Sequence, residues 1–151
     1  MRSVGGMNEF EIVTRIERPA AAVFAAITDP AKIPAWTPGL IEVRASSAAI
    51  VAGTTLTFVG RFLGRGYASV SECIAIEPDV RFATASRSGP FHLEVDQTLH
   101  ADGEATTLIS RYRGDSRTFF KLAEPIVLNL TKRLFESANE NLKALIEADA
   151  L

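Results

Sequence analysis

Two histidines and one cysteine are the side chains of this chain best suited to metal binding or nucleophilic chemistry. His92 and His100 fall on one predicted strand, so they should share a face yet lie about 26 Å apart at the rise of a strand. They cannot bind one metal ion together, and surface histidines are the simpler interpretation. Cys73 has no cationic neighbour in its predicted strand, which argues against a low-pKa nucleophile. The sequence therefore predicts no metal and no cofactor.

Glu72 is the candidate acid. It has the same strand parity as Val70, Ile74 and Ile76, an otherwise apolar set. If that face looks inward, burial would raise the pKa of the carboxyl group and make it a general acid or a ligand anchor. A bulge between Tyr67 and Glu72 would instead turn the side chain to solvent. The sequence leaves both placements open.

Uncharged polar groups offer a second kind of chemistry. Tyr112 follows Ser110 at strand spacing and is flanked by two arginines, so the simplest arrangement puts the arginines in solvent and the hydroxyls inward. Tyr112 is then the best polar contact for a ligand, and in an enzyme it would be the orienting group beside Glu72. Gln97, on the face of Leu93, offers a neutral hydrogen-bonding group, although a bond to neighbouring backbone or water would explain it equally well.

Hydrophobic periodicity predicts the elements that must position these groups. An alternating strand over Glu9 to Glu17 precedes a short helix that begins at Pro19 and stops at Asp29, and a second short helix over Ala31 to Trp36. Six further strands are predicted at Ile41 to Arg44, Thr54 to Leu63, Tyr67 to Glu77, Val80 to Arg87, Phe91 to His100 and Ala105 to Arg113. Gly64 to Gly66 is predicted as a hairpin turn.

From about Thr118 the period changes to that of a helix. The apolar stripe of this long helix consists of Leu122, Ile126, Leu130, Leu134, Ala138, Leu142 and Leu145. Strands flanked by helices indicate the α+β class, in which a helix covers one face of an antiparallel sheet.

A strongly curved seven-stranded sheet cannot lie flush against one straight helix, so a gap remains unless large side chains fill it. The predicted inner faces mix small and aromatic residues, which suits a lined cavity, although a packed core would give a similar pattern. The predicted lining residues are Phe58, Phe62, Phe82, Leu93, Gln97, Tyr112 and Ile126.

Composition excludes several classes of protein. The 151 residues are 47% hydrophobic and 23% charged, which suits one globular domain with a substantial core. A net charge of −2 does not indicate the basic surface that binds nucleic acid. The single cysteine excludes an internal disulfide and favours a reducing cytoplasm, and no apolar run reaches the length of a membrane span. Residues 1–7 are predicted as a flexible extension and residues 8–151 as the domain.

The segment IERPAAAVFAAITDPAKIPAWTPGL, from Ile16 to Leu40, joins a strand end, a proline, a short helix, an Asp-Pro stop and a tryptophan before Pro-Gly. This order, followed by strands and a long terminal helix, resembles the START/Bet v 1-like superfamily (SRPBCC), which includes polyketide cyclases, aromatases and lipid-transfer domains. The resemblance implies the helix-grip fold, a curved sheet wrapped around the C-terminal helix. It also places Trp36 where members commonly carry a tryptophan, either plugging one end of the fold or covering the pocket mouth.

The resemblance implies a hydrophobic or amphipathic small molecule, lipid-like or polyketide-like, as the binding partner. An enzyme, namely a cyclase, aromatase or dehydratase with Glu72 and Tyr112, is the alternative, but the chain shows no matching catalytic cluster beyond Glu72. A protein-interaction module without ligand chemistry is the third possibility. No nucleic-acid partner is expected, and a homodimer is left open.

Overall fold

The computed structural model describes residues 2–4, 7–90, 92–115 and 124–151. In chain order the elements are β1 (Arg2–Val4), β2 (Met7–Ile16), α1 (Ala20–Thr28), α2 (Ile33–Trp36), β3 (Leu40–Ala45), β4 (Thr55–Phe62), β5 (Arg65–Glu77), β6 (Arg81–Ser88), β7 (His92–Asp102), β8 (Ala105–Asp115) and α3 (Glu124–Glu147). This is the predicted order of one strand, two short helices, six strands and a long helix, with one short strand added at the start.

The strands form one antiparallel sheet in the order β1-β2-β8-β7-β6-β5-β4-β3. Pairing of β2 with β8 joins the two ends of the domain, as in the register Ile12 to Ser110. The predicted seven strands are β2 to β8, and the predicted α+β helix-grip class is confirmed. The short strand β1 was not predicted from the sequence; it pairs with the start of β2, with Arg2 opposite Glu9.

The hairpin between β4 and β5 is tighter than predicted. Phe62 pairs with Arg65, so Leu63 and Gly64 alone form the turn, both with positive φ (53° and 76°). Two left-handed residues give the loop the twist of the flanking strands, and glycine adopts that conformation without strain. The predicted turn at Gly64 to Gly66 was therefore placed too late, since Arg65 and Gly66 already belong to β5.

The core lies where the helices cover the concave face of the sheet. Val23 and Ile27 of α1 are buried one turn apart, as the helical spacing predicted. In α3 the buried residues Ala138, Leu142 and Ile146 follow the same period. The predicted helix start at Thr118 and the stripe residue Leu122 lie outside the described residues. Within the described part of the chain, no helix is long and apolar enough to cross a membrane.

A charged clasp, formed by Arg18, Lys143, Glu147 and Asp149, fastens the C-terminal end of α3 to the turn after β2. The Glu147 carboxylate accepts hydrogen bonds from Lys143 Nζ and from the backbone N–H of Glu17, each at 2.8 Å. Arg18 donates to the backbone oxygen of Glu147 at 2.6 Å and pairs with Asp149 at 3.2 Å. The clasp therefore fixes the last turn of α3 against the sheet.

Replacing Glu147 by Gln should lower stability at neutral pH and have little effect in acid. The hydrogen bond from Lys143, followed by that from the Glu17 N–H, lowers the pKa of the Glu147 carboxyl from its ordinary 4.5. A folded-state pKa below the unfolded one gives stability that is present above the unfolded pKa and lost as pH falls through the folded pKa. Urea unfolding at pH 7 and pH 3 would measure the difference between Glu147→Gln and the parent protein.

Glu140→Gln provides the control, because Glu140 is exposed on the same helix and forms no ion pair among the described residues. It should leave the free energy of unfolding unchanged at both pH values. An equal loss for Glu147→Gln at pH 3 and pH 7 would show that the clasp acts through packing instead of charge.

Candidate ligand cavity

A cavity of about 150 Å³ lies between the concave face of the sheet and α3. Six strands, β3 to β8, form its floor and walls, and all three helices close it from above. Its lining residues are Ile27, Ile33, Trp36, Thr37, Leu40, Phe58, Tyr67, Ser69, Ser71, Phe82, Thr84, Ser86, Leu93, Val95, Gln97, Tyr112, Leu134, Phe135 and Ala138. The mixture of aromatic and small polar groups is the one that the strand patterns predicted.

Five of the seven predicted lining residues reach this cavity. They are Phe58, Phe82, Leu93, Gln97 and Tyr112. They come from β4, β6, β7 and β8, at positions where the side chain points to the concave face. Strict alternation along these strands is why sequence parity located them.

Phe62 and Ile126 do not line the cavity as predicted. Phe62 is buried but packs behind the wall, against Tyr67, Leu130 and Leu134. Ile126 is 53% exposed, so its predicted ligand contact is wrong. The helical period correctly placed it in α3, but that turn of the helix leaves its side chain in solvent.

Trp36 lines the cavity from α2 and is held at both ends. Its indole Nε1 donates to the backbone oxygen of Ala26 in α1 at 3.2 Å, and its own backbone oxygen accepts from Asn141 Nδ2 of α3 at 3.4 Å. Only 8% of the residue is exposed. These contacts join three helices around the indole and favour the plug over the lid.

Asn139 of α3 is the centre of a buried polar cluster at one side of the cavity. Its Oδ1 accepts hydrogen bonds from Ser110 Oγ at 3.2 Å and from Thr14 Oγ1 at 3.5 Å. Its Nδ2 donates to the Tyr112 hydroxyl at 3.0 Å and to the backbone oxygen of Phe135 at 2.7 Å. One amide thus links α3 to both β2 and β8, and every polar atom of the amide has a partner.

Asn139 was not among the site residues predicted from the sequence. The signal was present, because Asn139 stands four residues after Phe135 and three before Leu142, on the buried side of α3. A single polar residue at such spacing marks a position where a buried hydrogen bond is needed.

Tyr112 is buried in an aromatic stack that also orients its hydroxyl. Its ring lies 5.0 Å from that of Phe10 and 4.1 Å from that of Phe135, nearly parallel to both. Burial raises the pKa of Tyr112 to about 12, against the opposing effect of hydrogen bonds to Asn139 and Ser110. The phenol therefore stays neutral near pH 7. As predicted, Arg111 faces away, where it pairs with Glu11 at 3.1 Å.

Glu72 lies on the convex face, away from the cavity. Its carboxylate pairs with Arg87 at 3.4 Å, and its side chain is 37% exposed. The neighbours Ser71 and Cys73 are the ones that point inward and are buried. The inward placement of Glu72 is therefore wrong, and its carboxylate cannot serve a ligand in the cavity.

A β-bulge explains why the apolar alternation of β5 suggested an inward-facing Glu72. In β5, Cys73 pairs with Thr84 but Ala75 pairs with Ala83, so Ile74 is an extra residue. Beyond it the faces exchange, and Ile76 packs on the core although it has the parity of Glu72. A second register shift, between Val70 and Ser71, lies between Tyr67 and Glu72, where a bulge was the alternative prediction.

The remaining reactive side chains lie apart. His92 and His100 are both exposed on β7. Cys73 is fully buried, and burial raises the pKa of its thiol, which agrees with an unreactive cysteine. Among the residues that the structure describes, no three His, Cys, Asp or Glu side chains are grouped to hold a metal ion.

Replacing Asn139 by Leu should destabilise the protein by about 2–4 kcal/mol, because it strands buried hydroxyl groups on Thr14, Ser110 and Tyr112. Chemical denaturation followed by circular dichroism would measure the loss. Asn141→Leu, on the exposed side of the same helix with a single long hydrogen bond, should cost under about 1 kcal/mol. Equal losses for the two variants would contradict the role of the cluster.

Comparison with known proteins places this fold in a family. Residues 7–147 match the family model described as polyketide cyclase / dehydrase and lipid transport. Among curated proteins, none matches the sequence.

Several solved structures share the fold at low identity. TTHA0849 from Thermus thermophilus superposes with a TM-score of 0.79 at 18% identity, covering 95% of this chain and 100% of that one. A START superfamily protein from Mycobacterium smegmatis gives 0.78 at 14% identity, covering 93% and 97%. The Zhui aromatase/cyclase from Streptomyces sp. R1128 gives 0.73 at 15% identity, covering 95% and 93%. With the family model matching almost the whole domain, the chain belongs to the polyketide cyclase/dehydrase and lipid-transport family.

Proposed function

We propose that this protein binds a hydrophobic or amphipathic small molecule in the cavity between its sheet and α3. The observation that carries the proposal is the lining itself, in which aromatic faces such as Phe58 and Phe82 alternate with small hydroxyl groups such as Ser71 and Thr84. Binding sites for small molecules are commonly concave and mostly apolar, with a few polar groups that fix orientation.

The size of the cavity supports a compact ligand. At about 150 Å³ it is smaller than the roughly 300–1,000 Å³ typical of sites for drug-sized molecules. One or two fused rings fit such a volume, whereas an extended lipid chain would need the helices to move. Trp36 is held to α1 and α3 and therefore restrains the part of the cavity wall that it forms.

The second candidate is a cyclase, aromatase or dehydratase acting on a polyketide-like substrate. This candidate is suggested by the similarity of the fold to that of an aromatase/cyclase. One feature of the site also favours it: the neutral Tyr112 hydroxyl accepts a hydrogen bond from Asn139 and can donate its own proton to a substrate oxygen. Polarising a carbonyl by such a donor is a recognised catalytic device. Glu72, the acid expected in this scheme, is on the other face. Binding without turnover is therefore the preferred function.

A cytoplasmic location stays a prediction from the single cysteine of the sequence, and a homodimer stays open.

Filling the cavity should abolish binding of apolar probes without unfolding the protein. Ser71→Phe places a ring in the cavity, since Ser71 lines it and is 7% exposed. We expect the affinity for naphthalene, measured by two-dimensional NMR titration, to fall at least about tenfold. Ala68→Phe, on the exposed side of the same strand, should keep the affinity of the parent protein. Unchanged binding in a folded Ser71→Phe variant would place the ligand elsewhere.

Tyr112→Phe separates the carrier from the enzyme. It removes one acceptor of Asn139 Nδ2, which keeps Phe135 O, so the expected loss of stability is about 1 kcal/mol. In a carrier, binding of a ring ligand changes by less than about tenfold. In an enzyme, cyclisation of a linear poly-β-ketone, followed by mass spectrometry and chromatography, is lost while binding persists. No product from the parent protein above the uncatalysed background would exclude the enzyme for that substrate.

A further inference from the structure

Three buried polar side chains form a row across the floor of the cavity. They are Ser71 of β5, Thr84 of β6 and Gln97 of β7, which we call the polar row. Ser71 is opposite Ser86, two residues from Thr84 along β6, and Gln97 is opposite Phe82, two residues from Thr84 on the other side. Such diagonal neighbours on adjacent strands lie about 7–8 Å apart. The row therefore crosses three strands, and each pair of adjacent members is close enough to contact one small molecule.

Unlike Ser69 and Ser86 of the same cavity, the side chains of the polar row have no hydrogen-bond partner among the described residues. Ser86 Oγ exchanges hydrogen bonds with the backbone of Leu93, and Ser69 Oγ donates to Ser88 O. Within the described part of the chain, the side chains of Ser71, Thr84 and Gln97 make no hydrogen bond. All three are more than nine-tenths buried. Buried polar groups are rarely left unpaired, so their partners must come from whatever occupies the cavity.

Thr37 lines the cavity from the helical side. Its Oγ1 has no hydrogen-bond partner among the described residues, but this atom is itself fully buried. It therefore presents no donor or acceptor at the cavity surface, and the polar row supplies the groups that a ligand can reach.

The described wall of this space is uncharged. Among the lining residues that the structure describes, none is Asp, Glu, Lys, Arg or His. The nearest charges along the same strands, Glu72 with Arg87 and Arg81 with Asp96, are paired on the convex face. An ionised ligand would lose its hydration without gaining a counter-ion, which is strongly unfavourable.

We propose that the ligand is an uncharged ring compound bearing a carbonyl or hydroxyl group, and that the polar row binds that group. This inference rests on the proposed function, that the cavity holds an apolar or amphipathic small molecule, and specifies its chemistry.

The donor and acceptor inventory suits such a compound. The Gln97 amide offers two N–H donors and a carbonyl acceptor, and each hydroxyl can do both. A ligand carbonyl can therefore accept from Gln97, and a ligand hydroxyl can donate to it. Phe82, opposite Gln97 in the register, and Phe58 supply aromatic faces for the ring. Fatty acids and amines are the classes that this arrangement disfavours.

Three probes with the same ring system test at pH 7 whether a neutral polar group strengthens binding and a charged group weakens it. They are naphthalene, 2-naphthol and 2-naphthoate. Dissociation constants are measured by two-dimensional NMR titration. We expect 2-naphthol to bind about fivefold or more tightly than naphthalene, because it gains a hydrogen bond at the polar row. We expect 2-naphthoate to bind at least about tenfold more weakly than 2-naphthol.

Variants of the polar row test whether its side chains cause the preference for 2-naphthol. Gln97→Leu and the nearly isosteric Thr84→Val should each reduce the preference for 2-naphthol over naphthalene while naphthalene binding persists. Thr98→Val, on the opposite face of β7, is the matched control and should keep the parent preference. Circular dichroism establishes that each variant is folded, and Thr84→Val keeps the test valid if Gln97→Leu does not fold.

The outcomes separate the two proposals. If naphthalene and 2-naphthol both fail to bind, the proposed function and this inference are overturned together for ring ligands. If the ring compounds bind but 2-naphthoate binds as tightly as 2-naphthol, only this inference is overturned. An unchanged preference in the folded polar-row variants has the same consequence.

Discussion

The buried amide of Asn139 is the interaction on which the arrangement of helix and sheet depends. It bonds to Thr14 of β2 and to Ser110 and Tyr112 of β8, the two strands that join the ends of the domain. Because each bond is directional and the cluster is buried, the amide fixes both the rotation of α3 and its height above the sheet. The clasp at Glu147 holds the end of the same helix.

Anchoring α3 over β2 and β8 leaves space above the other strands. The sheet curves away through β7, β6, β5 and β4, and the straight helix cannot follow it, so the cavity remains between them. Backbone irregularities help the sheet to bend. At the β3 edge, Gly39 and Gly60 approach so closely that a Cβ on Gly60 would lie 2.6 Å from Gly39 O, which only glycine permits there.

The distribution of charge divides the molecule by face. The convex face carries cross-strand ion pairs such as Arg111 with Glu11, whereas the described cavity wall carries hydroxyls, an amide and aromatic rings. Under the proposed function, such a cavity selects its ligand by shape and by neutral hydrogen bonds. Tyr112, kept neutral by burial, belongs to this set and not to a set of acids and bases.

Periodicity in the sequence determined the order of elements, the α+β class and most of the inner face. Alternation along an uninterrupted strand forces side chains to one face or the other, so Tyr112, Gln97 and Phe82 could be placed without coordinates. The segment from Ile16 to Leu40 added the resemblance that named the family.

The tertiary structure decided the features that depend on contacts between elements distant in the sequence. The bulge at Ile74 arises from pairing with β6, and it separates Glu72 on the convex face from Ile76 on the core. Ile126 has the right helical spacing, but only the position of α3 over the sheet determines that it is exposed. Asn139 gained its role from a partner more than a hundred residues away in β2 as well as from β8. Local spacing fixes which way a side chain points from its own element, whereas contact requires knowing where the other elements lie.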